Sequence, residues 1–115
     1  MGISATELVS KKCTACEGDT PAFDDVQIRE HMGALPEWKL SGGGESIRRE
    51  YKLKDFVTAM AFLQKVGVLA ESEGHHPDLH LTGYKLVAIE LSTHAIGGLS
   101  ANDFIVAAKI DAVHP

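Results

Sequence analysis

Leu69-Ala70-Glu71-Ser72-Glu73-Gly74-His75-His76-Pro77-Asp78-Leu79-His80-Leu81 is where the chain changes its periodicity, and the change decides the fold. Upstream, beginning at Asp55, Phe56, Ala59, Met60, Leu63, Val66, Gly67 and Ala70 fall on one apolar helical stripe that continues to Glu73. Gly74 supplies the stop, and Pro77 forbids helical continuation and pushes His76 into an extended conformation. Downstream, Leu79 and Leu81 alternate with polar residues, Gly83 marks a turn, and Val87, Ile89 and Leu91 alternate along a returning strand. A long helix therefore hands over to a hairpin.

The same reading extends outward in both directions. Trp38-Lys39-Leu40 and Ser46 to Leu53 form an earlier hairpin around Gly42-Gly43-Gly44, with Ile47, Tyr51 and Leu53 on one face. The glycines are a turn and not a phosphate loop, because no Lys-Ser/Thr follows and no helix opens there. Asp24 is an N-cap for a helix carrying Ile28, Met32 and Leu35, which Pro36 ends. Ser100 and Asp103 have capping-box spacing before an apolar helix from Phe104 to Val113. The order α-ββ-α-ββ-α predicts an α+β fold, a four-stranded antiparallel sheet with three helices packed on one face. Residues 1–22 read as a polar, poorly ordered leader, and 23–115 as a single domain.

Composition narrows the partners. The 115 residues are 44% hydrophobic and 23% charged, an ordinary globular balance for one domain able to bury roughly two-thirds of its unfolded surface. A net charge of −5 offers no basic field, so direct nucleic-acid binding is disfavoured and a small substrate fits better. No apolar run approaches a membrane span, and the first dozen residues lack a signal-peptide core, which places the protein in the cytoplasm with nuclear access by size. Met1 to Thr6 matches the loose N-myristoylation pattern, a motif of low specificity. Cys13-Thr14-Ala15-Cys16 lacks both the four ligands zinc requires and the strand-helix context of a redox pair, so it reads as exposed thiols in the leader.

Chemistry concentrates at the two ends of the second hairpin. His75 and His76 precede it and His94, in Leu91-Ser92-Thr93-His94, follows it. Histidine titrates near neutrality, so such a cluster beside carboxylates suits acid/base work or metal ligation. Adjacent residues of an extended segment point to opposite sides, so His75 and His76 address one point only if the chain turns between them. Glu71, four residues before His75, is within reach of its ring N–H; Asp103 caps the last helix. His80 alternates onto the polar face of its strand. Spacing alone leaves a catalytic pocket and a metal site equally open.

Glu71-x3-His75-His76-Pro77, Tyr84, Ser92-Thr93-His94 and Asp103 in this order closely resemble the signature of the pterin-4a-carbinolamine dehydratases, also known as dimerisation cofactors of a homeodomain transcription factor. The likeness runs from Trp38 through Lys54-Asp55-Phe56 to Gly98-Leu99-Ser100 and the closing helix, and the Lys-Lys-Cys-x-x-Cys-Glu-Gly leader is similar to that of many non-animal members. Leu79, where an aromatic is common, Asn102, where members often have Arg, and a second hairpin one residue longer than in animal members depart from the pattern.

The resemblance implies dehydration of 4a-hydroxytetrahydrobiopterin to quinonoid dihydropterin, with the pterin as substrate and no cofactor or metal. His75 and His94 are then acid and base, and His76 orients the substrate and stabilises charge. Glu71 becomes the partner of His75, and Asp103 the partner of His94 or a capping residue that shapes the pocket. Glu71, Gly74, Pro77, Ser92, Thr93 and Asp103 complete the pterin-binding set, with Trp38 in or beside the pocket. The resemblance also implies a homodimer or homotetramer paired through sheet edges and, as an alternative function, a transcriptional coactivator that binds a partner helix.

Overall fold

The structure, a computed structural model, describes residues 3–14 and 21–114. Asp55 opens the long helix by accepting the Thr58 N–H at 2.8 Å, and α3 (Phe56–Glu73) runs until Gly74 turns left-handed at φ 65°. There its N–H returns to the Ala70 and Glu71 carbonyls. Asp24 and Gln27 form a reciprocal capping box for α2 (Asp25–Met32), and Ser100 and Asp103 do the same for α4 (Ala101–Val113). The predicted hairpins are β1 (Lys39–Ser41) with β2 (Ser46–Lys52), and β3 (Asp78–Thr82) with β4 (Leu86–Leu91). Antiparallel pairing of β2 with β4, from Ile47 opposite Leu91 to Lys52 opposite Leu86, joins them in the order β1-β2-β4-β3.

The fold class stands as read, an α+β domain on a four-stranded antiparallel sheet. Alternation sends Ile47 and Tyr51 of β2 and Val87, Ile89 and Leu91 of β4 into the core, where they join Phe62 and Val66 of α3 and Phe104 and Ile110 of α4. The other face is solvated and charged. Arg48 meets Glu50 at 3.0 Å and Glu90 at 3.3 Å, and His80 meets Glu90 at 3.1 Å.

Several local expectations need correction. The leader contains an additional helix, α1 (Ala5–Ser10), capped by Ser4 and packed on α4 with Leu8 only 1% exposed. Among the described leader residues, then, 5–10 form a helix anchored to the core through Leu8 and not a loose polar tail. The buried stripe of α3 is Ala59, Phe62, Val66 and Ala70, whereas Phe56 and Met60 are exposed. The helix is rotated from the predicted stripe because Phe62, one residue before Leu63, carries the larger apolar surface into the core. Helix α2 ends at Met32, and Leu35 reaches the core from the turn that follows. The myristoylation pattern at Gly2, together with Cys16, Glu17 and Asp19, lies outside the described residues.

Trp38 is buried in the core and does not line the histidine cleft described below. Its indole N–H donates to Asp111 at 3.0 Å, and the same Asp111 oxygen accepts Tyr51 Oη–H at 2.7 Å and the Arg49 guanidinium at 2.8 Å. Burial and the hydrogen bond to Asp111 push the Tyr51 hydroxyl well above its ordinary pKa. Asp111 therefore ties the end of α4 to β2 and to the segment entering β1. Replacing it with alanine strands two buried donors at about 1–3 kcal/mol each, so urea denaturation of Asp111→Ala should show a loss of about 2–6 kcal/mol. A loss below about 1 kcal/mol would mean the donors find other partners.

Candidate active site

Antiparallel pairing decides where the histidines go. Asp78, which opens β3, lies opposite Glu90 near the end of β4, so the turn before β3 and the turn after β4 emerge from the same end of the sheet. The first turn carries Gly74, His75, His76 and Pro77. The second holds Ser92, Thr93 and His94 and is closed by the Thr93–Gly98 bridge, with Thr93 N–H donating to the Gly98 carbonyl at 2.9 Å. Between them is a cleft of about 410 Å³ lined by Thr14, Gly74, His75, His76, Ser92, Thr93, His94, Ala95 and Asn102. This falls within the roughly 300–1,000 Å³ typical of small-molecule sites.

Behind the lining lies Asp103, which has no exposed surface. His75 Nε2–H donates to its Oδ1 at 2.6 Å, while Oδ2 accepts Thr93 Oγ1–H at 2.8 Å and Ser100 N–H at 2.9 Å. With the carboxylate oxygen as acceptor, this contact calls for a proton on His75 Nε2 and leaves Nδ1 free of it. His76 has a different partner. Its Nε2 lies 2.8 Å from Glu71 Oε1, and both side chains are mostly exposed, at 65% and 82%. His94 is exposed and makes no side-chain hydrogen bond among the described residues.

Both carboxylate pairings differ from those expected. Glu71 was expected to hold His75, but an i, i+4 contact requires the helix to continue, and the left-handed Gly74 swings His75 away from it. Asp103 was expected near His94 or as a cap; it caps α4 and holds His75. The cleft brings together His75, His76, His94, Gly74, Ser92 and Thr93. Glu71, Pro77 and Asp103 support it from outside the lining. Sequence reading missed Thr14, Ala95 and Asn102. Asn102 was noted only as a departure from a pattern, and nothing in the spacing of Thr14 links it to residues so far along the chain.

Cys13 is half-buried and not the exposed thiol expected. Burial, reinforced by Glu73, pushes its pKa up to about 12, which keeps it protonated and unreactive. Among the described residues, no group of three or more His, Cys, Asp or Glu side chains is arranged to hold a metal ion, and no helix is long and apolar enough to cross a membrane.

Comparison with known proteins bears on this geometry. The sequence profile described as Pterin 4 alpha carbinolamine dehydratase matches residues 21–113. The chain is 42% identical over 111 residues to the mitochondrial pterin-4-alpha-carbinolamine dehydratase 2 of Arabidopsis thaliana, covering 94% of this chain and 59% of that protein. It is also 42% identical to a protein of Aromatoleum aromaticum that bears the dehydratase name provisionally, covering 95% of this chain and 96% of that one. The crystal structure of a transcriptional coactivator/pterin dehydratase from Brucella melitensis superposes with a TM-score of 0.76 at 32% identity, over 82% of this chain and 99% of that one. A pterin dehydratase-like protein described as a RuBisCO assembly factor in the alpha-carboxysome superposes with a TM-score of 0.57 at 25% identity, over 66% of this chain and 87% of that one.

The unequal burial of the two carboxylates has a measurable consequence. In Asp103→Asn an amide faces donors on two sides, so denaturant unfolding should show a loss of about 1–3 kcal/mol. Glu71→Gln, at a solvated pair, should stay within about 0.5 kcal/mol of the parent. Equal losses in the two variants would contradict the arrangement described.

Proposed function

This chain belongs to the pterin-4a-carbinolamine dehydratase family, and from that premise we propose that it is a hydro-lyase acting on 4a-hydroxytetrahydrobiopterin, yielding quinonoid dihydropterin and water in tetrahydrobiopterin recycling. The observation that carries the reading is the convergence of His75, His76 and His94, from two separate turns, on one cleft of a size for a bicyclic heterocycle.

The chemistry matches these side chains. Hydroxide leaves poorly, so a general acid protonates the 4a-oxygen as the C–O bond breaks, and a general base takes the N5 proton as the C=N bond forms. One proton is given and one taken, so the enzyme returns to its starting state once the imidazoles re-equilibrate. His75 and His94 share these transfers, one from each side of the cleft. Asp103, 2.6 Å from Nε2, holds the His75 ring and its tautomer in place. His76, linked to Glu71, orients the ring and offsets developing charge. Backbone groups at Gly74, Ser92 and Thr93 meet the amide and amino edge of the pterin. The reaction moves only protons and water, so the pterin is the substrate and the chemistry calls for no resident cofactor or metal.

A second role, as a non-enzymatic coactivator that binds a partner helix, is favoured by one observation. Phe56, Val57, Met60 and Val68 of α3 are all exposed, at 47–75%, an apolar surface suited to another helix. The same surface and the unpaired edges of β1 and β3 suit a homodimer or homotetramer, working in the cytoplasm with access to the nucleus.

Stopped-flow dehydration of freshly generated 4a-carbinolamine tests the enzyme reading. His75→Ala and His94→Ala should each lower kcat by about 10²-fold or more while far-UV circular dichroism is retained, and His76→Ala should act mainly on KM. Turnover unchanged in both of the first two variants would remove the proposal. Light scattering should give a dimer or tetramer of the 12.4 kDa chain; a single-chain mass at all concentrations would remove the assembly.

A further inference from the structure

The leader reaches the histidine cleft and is held there by buried side chains. Thr14 N–H donates to Asn102 Oδ1 at 3.1 Å, and Asn102 Nδ2–H donates to the Thr14 carbonyl at 2.6 Å. One side-chain amide thus satisfies both backbone groups of one residue, as a neighbouring strand would. One residue earlier, Cys13 N–H donates to Glu73 Oε1 at 2.9 Å, and Glu73 Oε2 accepts Lys109 Nζ–H at 2.6 Å. Asn102 is 5% exposed, and the Glu73 and Lys109 side chains are 9% and 14% exposed. Burial opposes ionisation of Glu73, but the Lys109 ammonium and the Cys13 N–H outweigh it and hold the carboxyl below its ordinary range.

The position of this clamp carries the argument. Glu73 stands two residues before His75, and Asn102 one residue before Asp103, so the clamp is built from immediate neighbours of the pair that orients the His75 ring. Thr14 and Asn102 themselves line the cleft beside His75, His76 and His94. Fixing a backbone residue costs about 1–2 kcal/mol in conformational entropy, and a solvated tail has no cause to incur it at the mouth of a site.

Resting on the dehydratase reading, we propose that Thr14, held by Asn102, forms one wall of the pterin cleft and is a positioning element that sets substrate affinity. Among the described residues Thr14 makes no hydrogen bond to His75 or His94, the groups proposed to transfer protons. It therefore contributes equally to the bound ground state and the transition state, which places its effect in KM and not in kcat.

Two variants approach the clamp from opposite sides. Thr14→Pro removes the N–H that Asn102 accepts, and Asn102→Asp removes the amide donor and sets a carboxylate against the Thr14 carbonyl. Each should raise KM for the carbinolamine about 5- to 10-fold, with kcat and its pH profile retained. The Kd for 7,8-dihydrobiopterin, which this reaction does not consume, should rise by the same factor. The double variant should be no worse than the weaker single variant, because both break the same contact. Unchanged KM and Kd in both variants overturn the wall while leaving the dehydratase reading intact. A fall in kcat with a shifted pH profile also overturns it, since the clamp would then act through Asp103 on His75. If the wild-type protein binds dihydrobiopterin without dehydrating the carbinolamine, the dehydratase reading fails and the Kd comparison alone decides the wall. If it does neither, both fall together.

Discussion

The Asp103 carboxylate is the contact on which the site's rigidity depends. A charge with no exposed surface costs several kcal/mol to bury unless its lone pairs are satisfied, and here three donors from three parts of the chain do so. Ser100 N–H belongs to the entry of α4, Thr93 Oγ1–H to the exit of β4, and His75 Nε2–H to the segment leaving α3. Displacing any one of these elements exposes an unmatched charge. The cost of burying the carboxylate therefore enforces the mutual placement of three chain segments, and the cleft lies among them.

The sheet supplies the other half of the constraint. Because β3 and β4 are antiparallel, the turns at 74–77 and 92–98 must leave at one end, whatever their sequences. Helix α4 then connects this end to the core. Asp103 in its first turn serves the cleft, and Asp111 in its last serves Trp38, Arg49 and Tyr51. Eight residues at about 1.5 Å each separate them by about 12 Å. One helix thus carries two carboxylates with the same physical logic, each gathering donors from other parts of the chain.

What was legible in the sequence follows from the range of the forces involved. The change of period at Gly74, the helix start at Asp55, the caps at Asp24 and Ser100, and the alternation at Val87, Ile89 and Leu91 are local signals, and each matched the structure. Helix α1 was missed because six residues with one fully buried side chain, Leu8, carry too little periodicity, although Ser4 and Glu7 have capping-box spacing. The partner of His75 was missed for a different reason. The i, i+4 rule that nominated Glu71 is valid only while the helix lasts, and a single left-handed glycine ends it one residue too soon. The Thr14–Asn102 contact spans most of the chain and has no local trace at all.

The observed pairing bears on the chemistry as well as the geometry, because it sets two adjacent histidines in unequal surroundings. His75 faces a carboxylate that has no exposed surface, where solvent screens the contact little. His76 faces Glu71 in solvent, where high dielectric and mobile ions weaken the same nominal ion pair. A group that must gain and lose a proton in a fixed direction is better served by the first environment. A group that must follow the outline of an entering ligand is better served by the second. The proposed division of work, proton transfer at His75 and orientation at His76, rests on where the two partners sit relative to water, whereas the sequence alone had assigned Glu71 to His75 and Asp103 to His94 or to the helix cap.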